Sequence, residues 1–327
     1  MRVLNDKDYR LFEKLVSLTE KEMIKAMGQY LKAKYDKIVI TKDYIIATGD
    51  IPIALVAHMD TVFKTPVSDL YYDQRKGVLW SPEGLGADDR AGIFAIIKIL
   101  QEGYRPSVIL TTGEEDGGVG ACALTEAFPD CPFPNLKYMI QLDRHGTNDC
   151  VFYDCYCPEF VDYVESFGFC ERWGSFTDIS FLMPEWQIVG VNLSVGYEDE
   201  HSYTEILNIN PLFDTIRKVK KMLSEKDIPT FIYDETVASS SMWWKRTSVF
   251  GQHCSKCKKL FSEHELFPVM GMDNKTKFYC PDCIVGNVEW CDYCGEPFEV
   301  SGTVAQKLCK DCAEELCTTT SKNNSLK

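Results

Sequence analysis

Residues 51–60, IPIALVAHMD, and residues 87–116, ADDRAGIFAIIKILQEGYRPSVILTTGEED, carry the reading that decides the fold. The first stretch is a short apolar run that suits a buried strand. Within the second, residues 87–103 read as a helix ending at Gly103 and residues 106–116 as another strand. Working outward, GVGACALTEAF (118–128) reads as a helix and LKYMIQLDR (136–144) as a strand. CVFYDC (150–155) and QIVGVNLSVG (187–196) are further strands, with PEFVDYVESFG (158–168) and SFTDISFLM (175–183) as short helices. NPLFDTIRKVKKMLSEKD (210–227) closes the region as a helix. Upstream, Leu11, Leu15, Leu18, Met23, Ile24, Met27 and Leu31 recur mostly every three or four positions, as in an amphipathic helix or helix pair, and KIVITKDYIIATGD (37–50) alternates like a hairpin. This alternation of strand and helix predicts an α/β fold, a three-layer α/β/α sandwich with a mostly parallel central sheet.

The net charge of −14 is unevenly placed: residues 1–239 hold 24 Lys/Arg against 38 Asp/Glu, and residues 240–327 hold 11 of each. An acidic surface repels phosphate backbones, which disfavours nucleic-acid binding by the N-terminal part. No run approaches ~18 consecutive apolar residues. The start, MRVLNDKDYRLFEKLV, is charged throughout, so the chain reads as a soluble cytoplasmic protein without membrane association. In that compartment the nine cysteines after residue 240, mostly in CxxC pairs, read as metal ligands rather than disulfides. The expected organisation is an α/β domain over 1–228, a linker at 229–247, a cysteine-rich module at 248–317 and a polar tail at 318–327.

The chemistry-bearing residues fall at predicted strand ends: His58 and Asp60 after IALVA, Asp88 before a helix, Glu114 and Glu115 after VILTT, Asp143 after MIQL. In an open α/β sheet, ligands bind beyond the carboxyl ends of the strands. Any one such acid is ordinarily a helix cap or a solvated loop residue. Five acids and a histidine on one edge would repel unless neutralised, which points to one or two divalent cations. His58-x-Asp60 offers an imidazole and a carboxylate to orient it. Glu114-Glu115 offers one carboxylate for metal and one for a bound water. DGGVG (116–120) lacks the lysine of a phosphate loop and follows two acids, so it is not a nucleotide loop.

His58-Met59-Asp60-Thr61-Val62, Gly86-Ala87-Asp88-Asp89-Arg90-Ala91-Gly92, Gly113-Glu114-Glu115, Leu142-Asp143 and Glu200-His201 occur in that order across roughly residues 50–225. They resemble the signature of the co-catalytic zinc exopeptidase superfamily, which includes peptidase T-like tripeptidases, bacterial leucyl-type aminopeptidases, glutamate carboxypeptidases and N-acyl amino acid deacylases. The resemblance implies a zinc-dependent metallopeptidase or amidohydrolase over residues 1–228 with two catalytic zinc ions, cobalt or manganese being substitutes. It implies that Asp88 bridges the ions and precedes a cis peptide bond to Asp89. His58 and Asp143 would complete one metal, Glu115 and His201 the other. Asp60 would orient His58, and Glu114 would be the general base for a zinc-bridged hydroxide that cleaves a small peptide or an N-acyl amino acid.

Two-domain relatives carry a lid between the positions matching Asp143 and His201, but only 57 residues intervene here. That implies a lidless chain, although the HMDT and GADDRAG spellings are closer to the lid-bearing branch. Gly174-Ser175-Phe176-Thr177-Asp178 is similar to a serine-aspartate segment of the lidless branch, which would put Ser175 and Asp178 at the pocket border. The alternative is a helix N-cap at Ser175 or Thr177. Arg144 either binds a substrate carboxylate or neutralises local acids, and His145 is either a second such group or a loop residue.

The tail contains Cys254/Cys257, Cys280/Cys283, Cys291/Cys294 and Cys309/Cys312, with 22, 7 and 14 residues between successive pairs. A CxxC knuckle presents two thiolates to a tetrahedral zinc, so four knuckles make two structural zinc sites. Ribbons or treble clefs pairing first with second and third with fourth are expected, with a cross-braced arrangement as the alternative. His253 and Cys317 are spare ligands, and Trp243, Trp244 and Trp290 are candidates for packing the module. Balanced charge gives no basic stripe, which favours protein docking or substrate gating over nucleic acid. The leading reading is an aminopeptidase-like exopeptidase, with an N-acyl amino acid deacylase or carboxypeptidase as the alternative. A non-catalytic zinc-ribbon adaptor is the reading from another class, and the intact Glu114 with all five ligands argues against it.

Overall fold

The computed structural model describes residues 3–153, 155, 157–233, 252–261, 266–270, 276–285, 287–290 and 297–300. The chain divides into two compact units, Met1–Ser240 and Ser241–Lys327.

The N-terminal periodicity resolves into two helices, α1 (Asp6–Val16) and α2 (Glu20–Lys32). Each has its own start signal: the Asn5 side chain accepts from Asp8 N at 2.9 Å, and Glu22 reaches back to Thr19 N at 3.0 Å. Leu15, Leu18, Met23, Met27 and Leu31 of the expected stripe are buried, Leu11 and Ile24 are half-buried, and Phe12 joins the buried face. The hairpin of β1 (Ile38–Ile40) and β2 (Tyr44–Ala47) follows, then β3 (Ile51–His58), and then a short pair, β4 (Tyr71–Asp73) and β5 (Val78–Trp80). Next come α3 (Ala87–Gln101), β6 (Pro106–Thr111), α4 (Val119–Ala127), β7 (Tyr138–Arg144) and β8 (Asp149–Val151). The unit continues through α5 (Pro158–Glu165), β9 (Cys170–Glu171), α6 (Asp178–Trp186), β10 (Gly190–Ser194), β11 (Tyr197–Glu198), β12 (Ile206–Asn208) and α7 (Ile209–Leu223).

Eight strands form one sheet in the order β1-β2-β6-β3-β7-β10-β8-β9. The central four, β6, β3, β7 and β10, are parallel, and antiparallel pairing occurs toward the edges, β2 on β6 and β8 on β10. The sheet is thus mostly parallel at its centre, and β6 is buried along its whole length. Helix α3 packs on β3 and β7 with α1 and α7 beside it, whereas α6 packs on β3, β7 and β10 with α4 beside it. Right-handed crossovers explain the two layers: β3 connects outward to β6 through α3, and β6 connects back past β3 to β7 through α4. Because β3 leaves toward β6 and β7 leaves toward β10, the chain changes direction between β3 and β7. A crevice opens at the carboxyl ends of such a strand pair, and those ends carry His58 and Asp143.

A second sheet, β11-β12-β5-β4, is entirely antiparallel and was not apparent in the sequence, because its strands are only two or three residues long. Its inner residues Leu79, Tyr197 and Leu207 are buried. The 57 residues between Asp143 and His201 form β8, α5, β9, α6, β10 and β11, with no inserted domain among the described residues. The strand expected over CVFYDC stops at Val151. Phe231, expected in the linker, lies instead against the first unit, with its ring centroid 4.9 Å from Phe160 and 5.3 Å from Tyr163. Apolar bulk explains why the chain stays packed to Tyr233, and residues 234–247 of the expected linker lie outside the described residues. No helix among the described residues is long and apolar enough to cross a membrane.

The described part of the second unit begins with a hairpin, β13 (Gln252–His253) and β14 (Leu260–Phe261), whose turn holds Cys254 and Cys257. Then β15 (Phe267–Met270) and β16 (Thr276–Tyr279) pair, and α8 (Pro281–Ile284) begins just after Cys280. β17 (Val288–Trp290) and β18 (Pro297–Glu299) complete a sheet ordered β16-β15-β18-β17. Cys291, Cys294, Cys309, Cys312, Cys317, Trp243, Trp244 and the polar tail lie outside the described residues.

Gly92 shows how tightly α3 is held to β7: a Cβ there would sit 2.2 Å from the Leu142 carbonyl oxygen and 2.4 Å from Asp89 Oδ1. Gly92→Ala is therefore expected to destabilise the first unit by roughly 1–3 kcal/mol, read as a lower denaturant midpoint at unchanged slope.

Candidate metal centre

Strand β3 delivers His58 fully buried at its carboxyl end. His58 Nε2 lies 2.9 Å from Asp88 Oδ1 and 3.5 Å from Asp143 Oδ1. On its other side His58 Nδ1 faces Asp60 Oδ1 at 3.3 Å, and Asp60 Oδ2 accepts the Glu115 N–H at 3.1 Å. Asp60 therefore steers His58 and also fixes the turn after β6. His201 Nε2 lies 3.2 Å from Asp88 Oδ2 and 3.0 Å from Glu115 Oε2. All five expected ligands thus converge, with the two oxygens of Asp88 turned to different histidines. Glu114 is buried beside them at 8% exposure.

Asp88 and Asp89 depart from helical geometry at the start of α3 and are joined by a cis peptide bond. Two ligand sets have their donor atoms within 4.8 Å of one another: His58, Asp88 and Glu115, and His58, Asp89 and Asp143. Asp89 braces the backbone: its oxygens accept the backbone N–H of His58 at 3.2 Å and of Gly92 at 2.7 Å. Asp143 is gripped on every side: Thr177 Oγ1 donates to it at 2.8 Å, Gln141 Nε2 at 3.1 Å and Tyr197 OH at 3.1 Å. The Asn192 side chain accepts Asp143 N–H at 2.9 Å and donates to Asp143 O at 2.7 Å. Glu205 accepts the N–H groups of Gly86 at 2.6 Å and Asp88 at 3.0 Å, which holds the bend into α3.

The electrostatics of this cluster fit divalent cations. Two imidazoles face Asp60, Asp88, Asp89, Glu114, Glu115 and Asp143, and Glu115 Oε1 is buried with no hydrogen-bond partner among the described residues. Burial raises Asp143 to about 6, the Asp88 charge adding to it. Glu114 is raised well above the usual carboxylate range, first by burial and then by its acidic neighbours. Bonds to Asp88 and Glu115 lift His201 to about 11. Imidazole and carboxylate donors converging from separate elements are the ligand types that zinc and related divalent metals accept.

One of the expected substrate residues is placed otherwise. Asp178 is fully buried under the site, accepting from Thr111 Oγ1 at 2.6 Å, so it does not border an open pocket. The reason is that α6 starts at Asp178 with Thr177 as its cap, which turns the aspartate inward. Ser175 is exposed. His145 is paired, its Nδ1 2.8 Å from Glu200 Oε1. Arg144 Nη2 donates to Trp173 O at 3.3 Å. Among the bracing residues missed in the sequence, Gln141 shares a strand face with Asp143 and was legible by period two. Asn192 and Glu205 come from remote segments with no local signal.

The second unit brings Cys254, Cys257, Cys280 and Cys283 together, all four sulfurs within 4.8 Å of one another. This pairs the first knuckle with the second. Cys257 and Cys280 Sγ are 3.8 Å apart. That is far beyond a disulfide and equals the edge, ~3.8 Å, of a tetrahedron with zinc–sulfur arms of about 2.3 Å. Burial alone would raise the Cys254 thiol, but the backbone N–H groups of Cys280, Cys257 and Lys256 outweigh it and bring it down to about 6.

Two solved structures share this fold. One is a tripeptidase from Staphylococcus aureus, at 14% identity and TM-score 0.52, covering 67% of this chain and 97% of that one. The other is a TET aminopeptidase from a marine sediment archaeon of the Thaumarchaeota, at 15% identity and TM-score 0.53, covering 72% and 99%. No family model matches the sequence, and no curated protein matches it.

Zinc is ligated by thiolates, so protonation of the four cysteines as pH falls releases the metal. Zinc held by the full chain at pH 7 is expected to appear in a chromogenic chelator assay as pH is lowered from 6.5 to 5, and Cys280→Ser is expected to remove one zinc equivalent by elemental analysis.

Proposed function

We propose that the first unit is a metal-dependent exopeptidase of aminopeptidase type acting on small peptides. The observation that carries this is the convergence of His58, Asp88, Glu115, Asp143 and His201 at the carboxyl ends of β3 and β7, with Glu114 beside them. In this reading His58 and Asp143 would hold one cation, Glu115 and His201 a second, and Asp88 would serve both. Zinc bound there would supply Lewis acidity toward a carbonyl and lower the pKa of water toward about 7.

The protein's own residues do the rest. Glu114, set in a buried position that favours proton uptake, takes the proton of the attacking water and returns it to the leaving nitrogen. Asp60 keeps His58 in one orientation, and the grip of Thr177, Gln141, Tyr197 and Asn192 keeps Asp143 from swinging. Asp89 and Glu205 fix the backbone from which Asp88 projects. Support for a peptide substrate comes from the fold shared with a tripeptidase and an aminopeptidase. In the second unit Cys254, Cys257, Cys280 and Cys283 would hold a structural zinc, and the module serves to dock a protein partner.

Glu114→Gln preserves shape and removes the base. It is expected to lower kcat on dipeptides and tripeptides by about 10²–10⁴-fold while leaving metal content unchanged, as read by product mass spectrometry beside elemental analysis. Full activity in this variant would remove Glu114 from the mechanism.

A further inference from the structure

The five candidate ligands are not equally secured. The side chains of His58, Asp88, Asp143 and Glu115 are 12% exposed or less, whereas that of His201 is 50% exposed. Asp143 is held by Thr177, Gln141 and Tyr197. The His201 imidazole meets only Asp88 and Glu115 among the described residues, and both of these are themselves candidate ligands.

What carries His201 is a strained loop. Asp199 and His201 are both left-handed, at φ 57° and 62°, conformations that are costly for residues with a Cβ and persist only where neighbouring contacts impose them. β11 ends at Glu198 and β12 begins at Ile206, so the segment between them has no ladder of its own. Ser202 Oγ donates to Asp199 O at 2.7 Å, which closes the loop on itself without fixing where it points. Glu205 pins the far end to the N–H groups of Gly86 and Asp88.

Glu200, between the two left-handed residues, supplies the other side-chain hydrogen bond from this loop to a separate element among the described residues. A carboxylate only accepts, so His145 Nδ1 donates to Glu200 Oε1 at 2.8 Å. His145 is itself held in place: Ser194 Oγ donates to its carbonyl at 2.5 Å, Asp149 N–H donates to that hydroxyl at 3.0 Å, and Gly146 N–H donates to Tyr197 O at 2.8 Å. It stands two residues beyond Asp143, just past the end of β7. The bond therefore joins the loop bearing His201 to the strand end bearing Asp143.

We propose that His145 and Glu200 form a clasp that positions His201 for the second cation, the one that Glu115 and His201 would hold with Asp88. This rests on the two-cation reading of the site and adds to it: the inner position is secured by burial, the outer one by the clasp. His145 and Glu200 are positioning residues, acting through the backbone of residues 200 and 201 and not on ligand atoms.

The test is Mn²⁺ binding to the full chain, with free ion read by electron paramagnetic resonance. Carboxylates accept manganese and soft thiolates select other metals, so the cysteines of the second unit stay silent. His201→Ala marks which of two dissociation constants belongs to the outer cation. Glu200→Ala and His145→Ala are each expected to raise that constant about 3–10-fold, less than the ~10–100-fold usual when a residue bonding a ligand directly is lost, and to leave the inner constant within about 2-fold. The double variant is expected to be no weaker than either single one, because both remove the same bond. Glu200→Gln, whose amide oxygen still accepts from His145, stays near the wild type. Equal weakening of both cations, no change in either, additive effects of the two alanines, or a Glu200→Gln as weak as Glu200→Ala overturns the clasp. A wild-type chain that takes up one Mn²⁺ or none refutes the two-cation reading itself, and the clasp's role with it.

Discussion

The Asp89 carboxylate holds together the elements on which the site depends. Fully buried, it accepts one N–H from the end of β3 and another from the first turn of α3, so strand and helix cannot shift relative to each other. Gly92 lets α3 approach the Leu142 carbonyl, which brings β7 into the same cluster. His58, Asp88 and Asp143 then stand at fixed separations because the three backbones carrying them are locked through one side chain and one missing Cβ. A buried carboxylate is costly unless hydrogen-bonded, and the two backbone donors meet that requirement here.

Around that brace the protein concentrates negative charge more densely than side chains alone can neutralise. Arg90, itself buried, is turned away, donating to the carbonyls of Met59 and Leu18. It ties the bend between α1 and α2 to the strand end behind the site. The two imidazoles answer only part of the charge, which is why divalent cations are the natural complement of the cluster. Residues such as Thr177, Asn192 and Glu205 spend their polar groups on fixing ligands or the backbone that bears them, and such rigidity is what separates a metal site from a chance cluster of acids.

The first unit buries a continuous core between helices and a mostly parallel sheet. Among the described residues of the second, Leu266 is buried beside Cys254 and Cys280, and Val269 beside Tyr279 and Val288. The knuckle spacing made the cysteine cluster readable in the sequence, since two cysteines three residues apart bring their sulfurs onto one turn.

What the sequence by itself determined is local or periodic: the buried strands from apolar runs, the helix pair from its spacing, and the acids and histidine placed at or just beyond strand ends, whereas the choice of ligands among them rested on the resemblance to a known family. The pairing of the first two knuckles was legible in the same way. Tertiary structure alone decided what depends on contacts between distant segments. The short strands of β4, β5, β11 and β12 have no pattern long enough to read, and they exist because partners from separate loops complete their hydrogen bonds. Asp178 points inward because α6 begins at that residue and leans on Thr111, a consequence of helix packing against the sheet rather than of the motif around it. Phe231 stays with the first unit because Tyr138, Phe160 and Tyr163 from other elements form its pocket.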